Sequence, residues 1–176
     1  MGIQHLDVSK GGYSRVTFSK NLAFFTGHAA PQYQTLKEQA EGILKRYDEL
    51  FKQFGLKKSN ILYTTCFMKN ADDEDEFADI YFQWIDPKNP PAGVTVTALP
   101  IQHSPVGDNI LMELSFIVAT NDSLPIKRYD VTRGCRMVEY DGMAYFTGHV
   151  YPKVDTLGEQ VAGVLNPVSY TNLRAH

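Results

Sequence analysis

The chain repeats part of itself at an offset of 121 residues, and this repeat constrains its fold more than any other feature. The first copy, 15–44, reads RVTFSKNLAFFTGHAAPQYQTLKEQAEGIL, and the second copy, 136–165, reads RMVEYDGMAYFTGHVYPKVDTLGEQVAGVL. Without a gap they agree at 13 of 30 positions, where ordinary residue usage gives about two. The offset has the size of a domain. The sequence therefore predicts a complete domain at 1–120, a linker at 121–135 and the truncated start of a second domain.

Local signals place a β-hairpin and a helix start in both copies. The apolar runs 16–19 and 22–26 flank a turn that reads Asp141-Gly142 in the second copy, which is a strong type I′ hairpin signal. Thr35 and Glu38 have the spacing of a capping box, in which a hydroxyl and a carboxylate bind free backbone N–H groups, and the second copy repeats this box. Each copy is therefore predicted to contain a hairpin followed by a helix.

The rest of the first domain alternates between strand and helix signals. Apolar residues at three- and four-residue spacing extend the first helix to Phe54, and Gly55 ends it. Further strands are predicted at 61–68, 94–99 and 110–119, and a second helix at 72–85. The order β-β-α-β-α-β-β predicts an α+β fold with the helices packed on one face of a mixed sheet.

Composition and charge exclude several classes of binding partner. The formal charge is −3 and the pI about 5.9, whereas a nucleic-acid surface is usually strongly basic. The sequence shows neither an apolar run long enough for a membrane span nor a signal peptide. Cys66 and Cys135 have no CxxC spacing, which indicates reduced thiols. We therefore expect a soluble, cytoplasmic protein with neither nucleic acid nor membrane as partner.

Several short motifs, in their order and spacing, resemble the Rid family of enamine/imine deaminases, also called YjgF-like proteins. These motifs are Gly11-Gly-Tyr13, Thr26-Gly-His28, Glu38-Gln39 in the capped helix, and Met112-Glu-Leu114. The resemblance covers 10–119, and 136–165 as a truncated copy. It implies a chorismate-mutase-like unit, assembly as homotrimers with ligand clefts between subunits, and hydrolysis of small imines such as 2-iminobutanoate and 2-iminopropanoate without a cofactor.

Three residues are candidates for catalysis. Glu113 lies inside an apolar strand, so it either faces solvent by alternation or sits in a cleft with a raised pKa; the resemblance matches it to the family's water-positioning glutamate. Tyr13 is either a loop aromatic that covers the core edge or the family's cleft tyrosine. His28, whose place in the family is commonly glutamine, is either a hydrogen-bonded structural residue or a proton shuttle.

Five residues are predicted to bind the ligand. Thr26 and Gly27 match the family's Ser/Thr-Gly, which can bind a carboxylate, although a strand simply ending at glycine explains them as well. Gly93 stands where active deaminases carry the arginine that clamps the substrate carboxylate, and Thr95 follows on the same strand. Tyr81 replaces the family's asparagine in the second helix.

The missing arginine leaves two functions open. One is a cofactor-free hydrolase that acts on small imine or enamine metabolites, and the other is a catalytically silent module that binds such metabolites. Gly93 favours the second, while Glu113, Tyr13 and Thr26 favour the first. An endoribonuclease gains no support from an acidic chain. The histidines show no metal-ligand spacing, so no metal site is predicted.

The end of the chain departs from the repeat. Pro167 is expected to break the helix of the second copy, so the tail 166–176 is treated as foreign to the fold. The second copy lacks the strands that would cover its helix. It must therefore pack on the first domain, pair with another chain or stay mobile, and we expect it to be sensitive to proteases.

Overall fold

The computed structural model describes residues 2–8, 14–97, 109–148 and 156–173. In these ranges the chain forms nine strands and three helices. They are β1 Gln4–Val8, β2 Ser14–Ser19, β3 Leu22–Phe25, α1 Leu36–Phe54, β4 Ile61–Met68, α2 Glu74–Trp84, β5 Ala92–Thr97, β6 Met112–Ala119, β7 Lys127–Tyr129, β8 Met137–Tyr140, β9 Met143–Phe146 and α3 Leu157–Leu173. None of the helices in these ranges is long and apolar enough to cross a membrane.

The first six strands form a mixed sheet in the order β1-β2-β3-β6-β4-β5. All neighbours are antiparallel except β4 and β5, which are parallel and joined by the α2 crossover. The predicted α+β fold is confirmed. Strand β1 was not predicted, because His5 and Asp7 interrupt its apolar pattern; it adds to the sheet edge beside β2.

Helix α1 covers one face of this sheet. Its capping box at Thr35 and Glu38 is present, and Gly55 ends it in the left-handed region at φ 67°. The apolar stripe of α1 is buried against the sheet, with Tyr47 fully enclosed beside Phe25 and Phe116. Helix α2 packs on the same face, where Phe77 is buried. This helical face is the main core.

The second copy covers part of the opposite face of the sheet. Strands β7, β8 and β9 form a separate antiparallel sheet, and its inner face packs on the first domain. The buried cluster between the two sheets consists of Leu62, Ala92 and Ala119 from the first domain, Cys135 from the predicted linker, and Val138, Tyr140 and Tyr145 from the second copy. Of the three arrangements left open by the sequence, the structure therefore shows packing on the first domain.

Residues between the two copies take part in this packing. The 127–129 part of the predicted linker is strand β7, and the side chain of Arg128 reaches back into the first domain. Its Nε donates to the carbonyl oxygen of Pro90 at 3.0 Å, and its NH2 group donates to those of Ser59 and Ile61 at 2.8 and 3.2 Å. Pro90 precedes β5, whereas Ser59 and Ile61 lie around the start of β4, so one guanidinium ties β7 to two parts of the first domain.

The predicted helix break at Pro167 is wrong, because α3 continues to Leu173. A proline inside a helix removes one hydrogen bond and often kinks the helix, but here the turns on either side remain helical. The exposed positions Leu157, Val161 and Leu165 show that no sheet in the described residues covers the apolar face of this helix.

Arg128→Met should loosen the second copy. The change keeps much of the apolar stem but leaves three carbonyl groups without their charged donor, which costs about 2 kcal/mol, or about 4–8 °C in Tm for a chain of this size. The matched control is Arg133→Met, since Arg133 forms an ion pair with Asp79 in which both side chains are about two-thirds exposed. The control should shift Tm by less than about 3 °C. Equal shifts would contradict an anchoring role for Arg128.

Candidate functional site

The chain leaves β3 and runs alongside β6, and this step brings the first group of predicted site residues together. The backbone N–H and C=O of His28 exchange hydrogen bonds with those of Leu114 at 2.9 and 3.1 Å. Leu114 points into the helical core. Because strand residues alternate, its neighbour Glu113 points to the opposite face of the sheet.

The Glu113 carboxyl group lies directly against Gly27. A Cβ atom built on Gly27 would lie 1.9 Å from Oε1 of Glu113 and 2.3 Å from its Cδ, so a side chain there would displace the carboxyl group. Burial raises the pKa of Glu113 above its ordinary value. The absence of a Cβ at Gly27 therefore makes room for a carboxyl group that ionises less readily than usual.

The hydroxyl of the buried Tyr47 contacts the residues next to Glu113 and Gly27. The hydroxyl of Tyr47 donates to the carbonyl oxygen of Leu114 at 2.7 Å, and it lies 3.0 Å from Nδ1 of His28. The same His28 nitrogen lies 2.9 Å from the carbonyl oxygen of Thr26. The Nδ1 atom of His28 thus contacts the Tyr47 hydroxyl and the Thr26 carbonyl oxygen. Its ring also lines the adjoining cleft.

This cleft, of about 550 Å³, opens beside α1. We call it the Glu113 cleft. Its lining includes four residues proposed from the sequence, Thr26, Gly27, His28 and Glu113, together with Arg15, which the sequence analysis did not single out.

The other predicted ligand-binding residues lie in a different place. Gly93, Thr95 and Tyr81 line a cleft of about 520 Å³ between α2, β5 and the second copy, which we call the Gly93 cleft. The hydroxyl of Tyr81 is buried and lies 2.7 Å from Oγ1 of Thr64. Burial raises the pKa of Tyr81 above its ordinary value, so this hydroxyl stays protonated. Within one chain the candidates therefore form two groups rather than one site.

The backbone of Gly93 holds the second copy. Its N–H donates to Oγ1 of Thr147 at 3.2 Å, and its carbonyl oxygen accepts from the N–H of Gly148 at 3.0 Å. A Cβ atom on Gly93 would lie 2.9 Å from the backbone oxygen of Thr64, so this strand position accommodates glycine only. Thr147 and Gly148 are the repeat counterparts of Thr26 and Gly27.

Sequence reasoning overlooked Arg15, Tyr47 and Thr147. Tyr47 falls on the apolar three- and four-residue spacing of α1, and nothing in that spacing reveals the contacts of its hydroxyl group. The repeat carried a signal for Thr147, since it equates Thr147 with a predicted ligand-binding residue. Tyr13 lies outside the described residues. Among the described residues no cluster of three or more His, Cys, Asp or Glu side chains is arranged to hold a metal ion.

The raised pKa of Glu113 gives a pH-dependent stability. A carboxyl group whose pKa is higher in the folded than in the unfolded state contributes stability below its ordinary value near 4.5, and this contribution is lost as the pH rises through the raised pKa. Glu113→Gln should therefore raise Tm relative to the parent chain at pH 7. The gain should shrink as the pH is lowered to 4, where Glu113 becomes protonated.

Glu38→Gln is the control, for which we expect the opposite change in Tm at pH 7. Hydrogen bonds from Thr35 lower the pKa of Glu38, so its ionised form stabilises the fold above pH 4.5 and this contribution is lost as the pH falls. The variant should have a lower Tm at pH 7, and it should approach the parent only as the pH falls below 4.5 through the lowered pKa of Glu38. If Glu113→Gln also lowers Tm at pH 7, the carboxylate of Glu113 has a stabilising partner and its burial is not the dominant effect.

Comparison with known proteins identifies the family. The family model described as Endoribonuclease L-PSP matches residues 4–119. A RutC family protein from Haemophilus influenzae is 33% identical over 88 residues, which are 48% of this chain and 75% of that protein.

Solved structures agree on the fold. A member of the YjgF protein family from Neisseria meningitidis superimposes with a TM-score of 0.61 at 20% identity, covering 69% of this chain and 98% of that one. A Rid family protein from Yersinia pestis gives 0.53 at 22% identity, covering 67% and 99%. The fold, the matching family model and the relative agree, and the chain belongs to the Rid/YjgF family.

Proposed function

We propose that this chain binds small imine, enamine or related carbonyl metabolites in the Glu113 cleft and hydrolyses carboxylate-bearing imines slowly or not at all. The observation that carries the proposal is the Glu113 carboxyl group, which lies against Gly27 at the wall of a cleft of suitable size and has a raised pKa. Clefts of about 300–1,000 Å³ with a few polar groups are typical of small-molecule sites.

Glu113 has the properties of a general base for imine hydrolysis. A carboxylate that accepts a proton from water allows the water oxygen to attack the imine carbon, and the proton passes to the nitrogen as the C=N bond becomes a C–N bond. The added oxygen then loses its remaining proton, which passes to the nitrogen by way of Glu113; the C–N bond breaks, ammonia leaves and a carbonyl group remains. The raised pKa brings Glu113 closer to neutrality, where proton transfer by a base is most effective.

Gly93 supports slow turnover. The position that carries the carboxylate clamp in active members of the family holds no side chain here, and its backbone groups are occupied by Thr147 and Gly148. Losing a bidentate guanidinium–carboxylate contact removes both binding energy and orientation of the substrate. Binding without fast hydrolysis is therefore the better-supported function.

The proposal extends to assembly. The sheet face that carries Glu113 also exposes Phe24, Phe67 and Val96, each at close to 40%. Phe67 is the direct cross-strand neighbour of both Glu113 and Val96. An apolar strip beside a cleft is typical of an interface, and we propose that further copies of the chain cover it in a homotrimer-like assembly that completes the Glu113 cleft.

Binding and turnover are tested separately. The chain is titrated with 2-oxobutanoate, the product of 2-iminobutanoate hydrolysis, while amide NMR shifts are followed. The amides of Gly27 and His28 should move, and Glu113→Ala should abolish the movement. Glu41→Gln, an exposed change on α1, is the control and should leave it intact. Unchanged Gly27 and His28 shifts in the parent chain would contradict binding in this cleft.

Turnover is measured with an amino-acid dehydratase that releases enamine. Addition of the chain should speed formation of the 2-oxo acid little or not at all, whereas a Rid protein with the arginine clamp should speed it strongly. Rates equal to those of that protein would refute the interpretation of Gly93.

Gly93→Arg should not create an active deaminase. Its Cβ would lie only 2.9 Å from the Thr64 backbone oxygen, which costs about 1–3 kcal/mol or several degrees in Tm. Gly158→Arg, where a Cβ meets nothing within 4 Å, should leave Tm nearly unchanged. A Gly93→Arg variant with the Tm of the parent and fast turnover would show that the missing side chain alone limits catalysis.

A further inference from the structure

The Glu113 cleft is lined by an aromatic residue, Tyr33, that takes no part in the chemistry described above. Tyr33 is 39% exposed. We propose that Tyr33 determines the specificity of this cleft and selects oxo and imino acids with an aryl side chain over those with a short alkyl side chain. This inference rests on the proposed function, because it concerns the same cleft, and it names the class of metabolite bound there.

The backbone of Tyr33 is held in place by hydrogen bonds on both sides. Its N–H donates to the carbonyl oxygen of Ala30 at 3.1 Å. Its carbonyl oxygen accepts from Nε2 of Gln39 and from Nδ2 of Asn109, each at 2.9 Å. Gln39 is fully buried, and its Oε1 accepts from the N–H of Leu111 at 3.0 Å. The residue that carries the ring is therefore fixed before a ligand binds, which lowers the entropic cost of binding.

The ring of Tyr33 lies against a glycine of helix α1. A Cβ atom built on Gly42 would lie 2.5 Å from Cε2 of Tyr33 and 3.1 Å from its Cδ2. Gly42 is inside α1, where glycine is less favourable than alanine. The missing Cβ makes room for one edge of the ring, while the exposed part of Tyr33 remains available to a ligand in the cleft.

The size and the apolar lining of the cleft favour a large side chain on the ligand. Ala29, Ala30 and Ile43 line the cleft together with Tyr33. Its volume of about 550 Å³ is in the range that holds drug-sized molecules, so a four-carbon oxo acid fills only part of it. An aryl group beside Tyr33 gains an aromatic contact in addition to the area that it buries.

The test compares two ligands that differ by a phenyl group, 2-oxobutanoate and 2-oxo-4-phenylbutanoate. Each is titrated into the full chain while the amide NMR shifts of Gly27 and His28 are followed. The parent chain should bind the phenyl compound about three- to tenfold more tightly, as expected for one aromatic pair. Nuclear Overhauser contacts should join the phenyl protons of the ligand to the ring of Tyr33.

Two substitutions should remove this preference. Tyr33→Ala should weaken binding of the phenyl compound about three- to tenfold more than binding of 2-oxobutanoate, whereas Tyr33→Phe should keep the preference because it keeps the ring. Gly42→Ala should reduce the preference by displacing the ring. Gly158→Ala is the matched control, since this glycine also lies in a helix and a Cβ atom there meets nothing within 4 Å.

The outcomes separate this inference from the proposed function. If both ligands bind in the cleft with equal affinity, or if Tyr33→Ala keeps the preference, the cleft is a ligand site and the role of Tyr33 is wrong. Equal weakening of both ligands by Tyr33→Ala would assign Tyr33 to the shape of the cleft and also contradict the inference. If neither ligand moves the Gly27 and His28 amides of the parent chain, the proposed function fails as well.

Discussion

The contact between Gly93 and the Thr147-Gly148 step determines how the rest of this chain is arranged. Two hydrogen bonds, one to the Thr147 side chain and one between backbone groups, join the edge strand β5 to the residues that follow β9. The approach is close, since a Cβ atom built on Gly148 would lie 2.8 Å from Cγ2 of Val94 in β5. The contact sets the inner face of β8 and β9 on the sheet face opposite the helices. There Val138 and Tyr140 are fully buried, and burial stabilises such side chains by about 1.5–3 kcal/mol each.

This arrangement explains why a family fold is present without the full set of family residues. In this chain the N–H and carbonyl groups of residue 93 take part in packing the second copy. The first domain's own Thr-Gly step stays open in the Glu113 cleft, beside a carboxyl group with a raised pKa. The two copies thus use the same local motif differently: Thr147-Gly148 docks on a strand, while Thr26-Gly27 lines a cleft.

Much of the fold follows from sequence signals that act locally. The hairpin, the capping box of α1 and the apolar stripe that buries Tyr47 are encoded within a few residues of one another, so they were predicted correctly. The repeat predicted that the second copy needs a surface to cover it. The surface on which the second copy packs could not be predicted. It depends on the hydrogen bonds from Arg128 to three carbonyl groups that lie 38–69 residues away in sequence.

The candidate site, like the fold, could be predicted only in part. Thr26, Gly27, His28 and Glu113 are adjacent because β3 and β6 pair, a contact between residues far apart in the chain that only the family resemblance suggested. The separation of Gly93 and Tyr81 from that group could not be predicted, since it depends on which elements line each cleft. Helix α1 lines the Glu113 cleft, whereas the second copy lines the Gly93 cleft. Arg15 could not be singled out from the sequence, because a single arginine in a strand belongs to no recognisable pattern. Only the structure shows that it lines the Glu113 cleft.

Amide hydrogen exchange of the full chain, read residue by residue by NMR, tests the central claim most directly. If Gly93 holds the second copy, the amides of Gly93 and Gly148 exchange slowly and at similar rates, because one opening event breaks both hydrogen bonds. Arg128→Met should speed the two amides together while those of β4 stay protected. A Gly148 amide that exchanges as fast as an unstructured peptide, in a chain whose β4 amides are protected, would contradict the account.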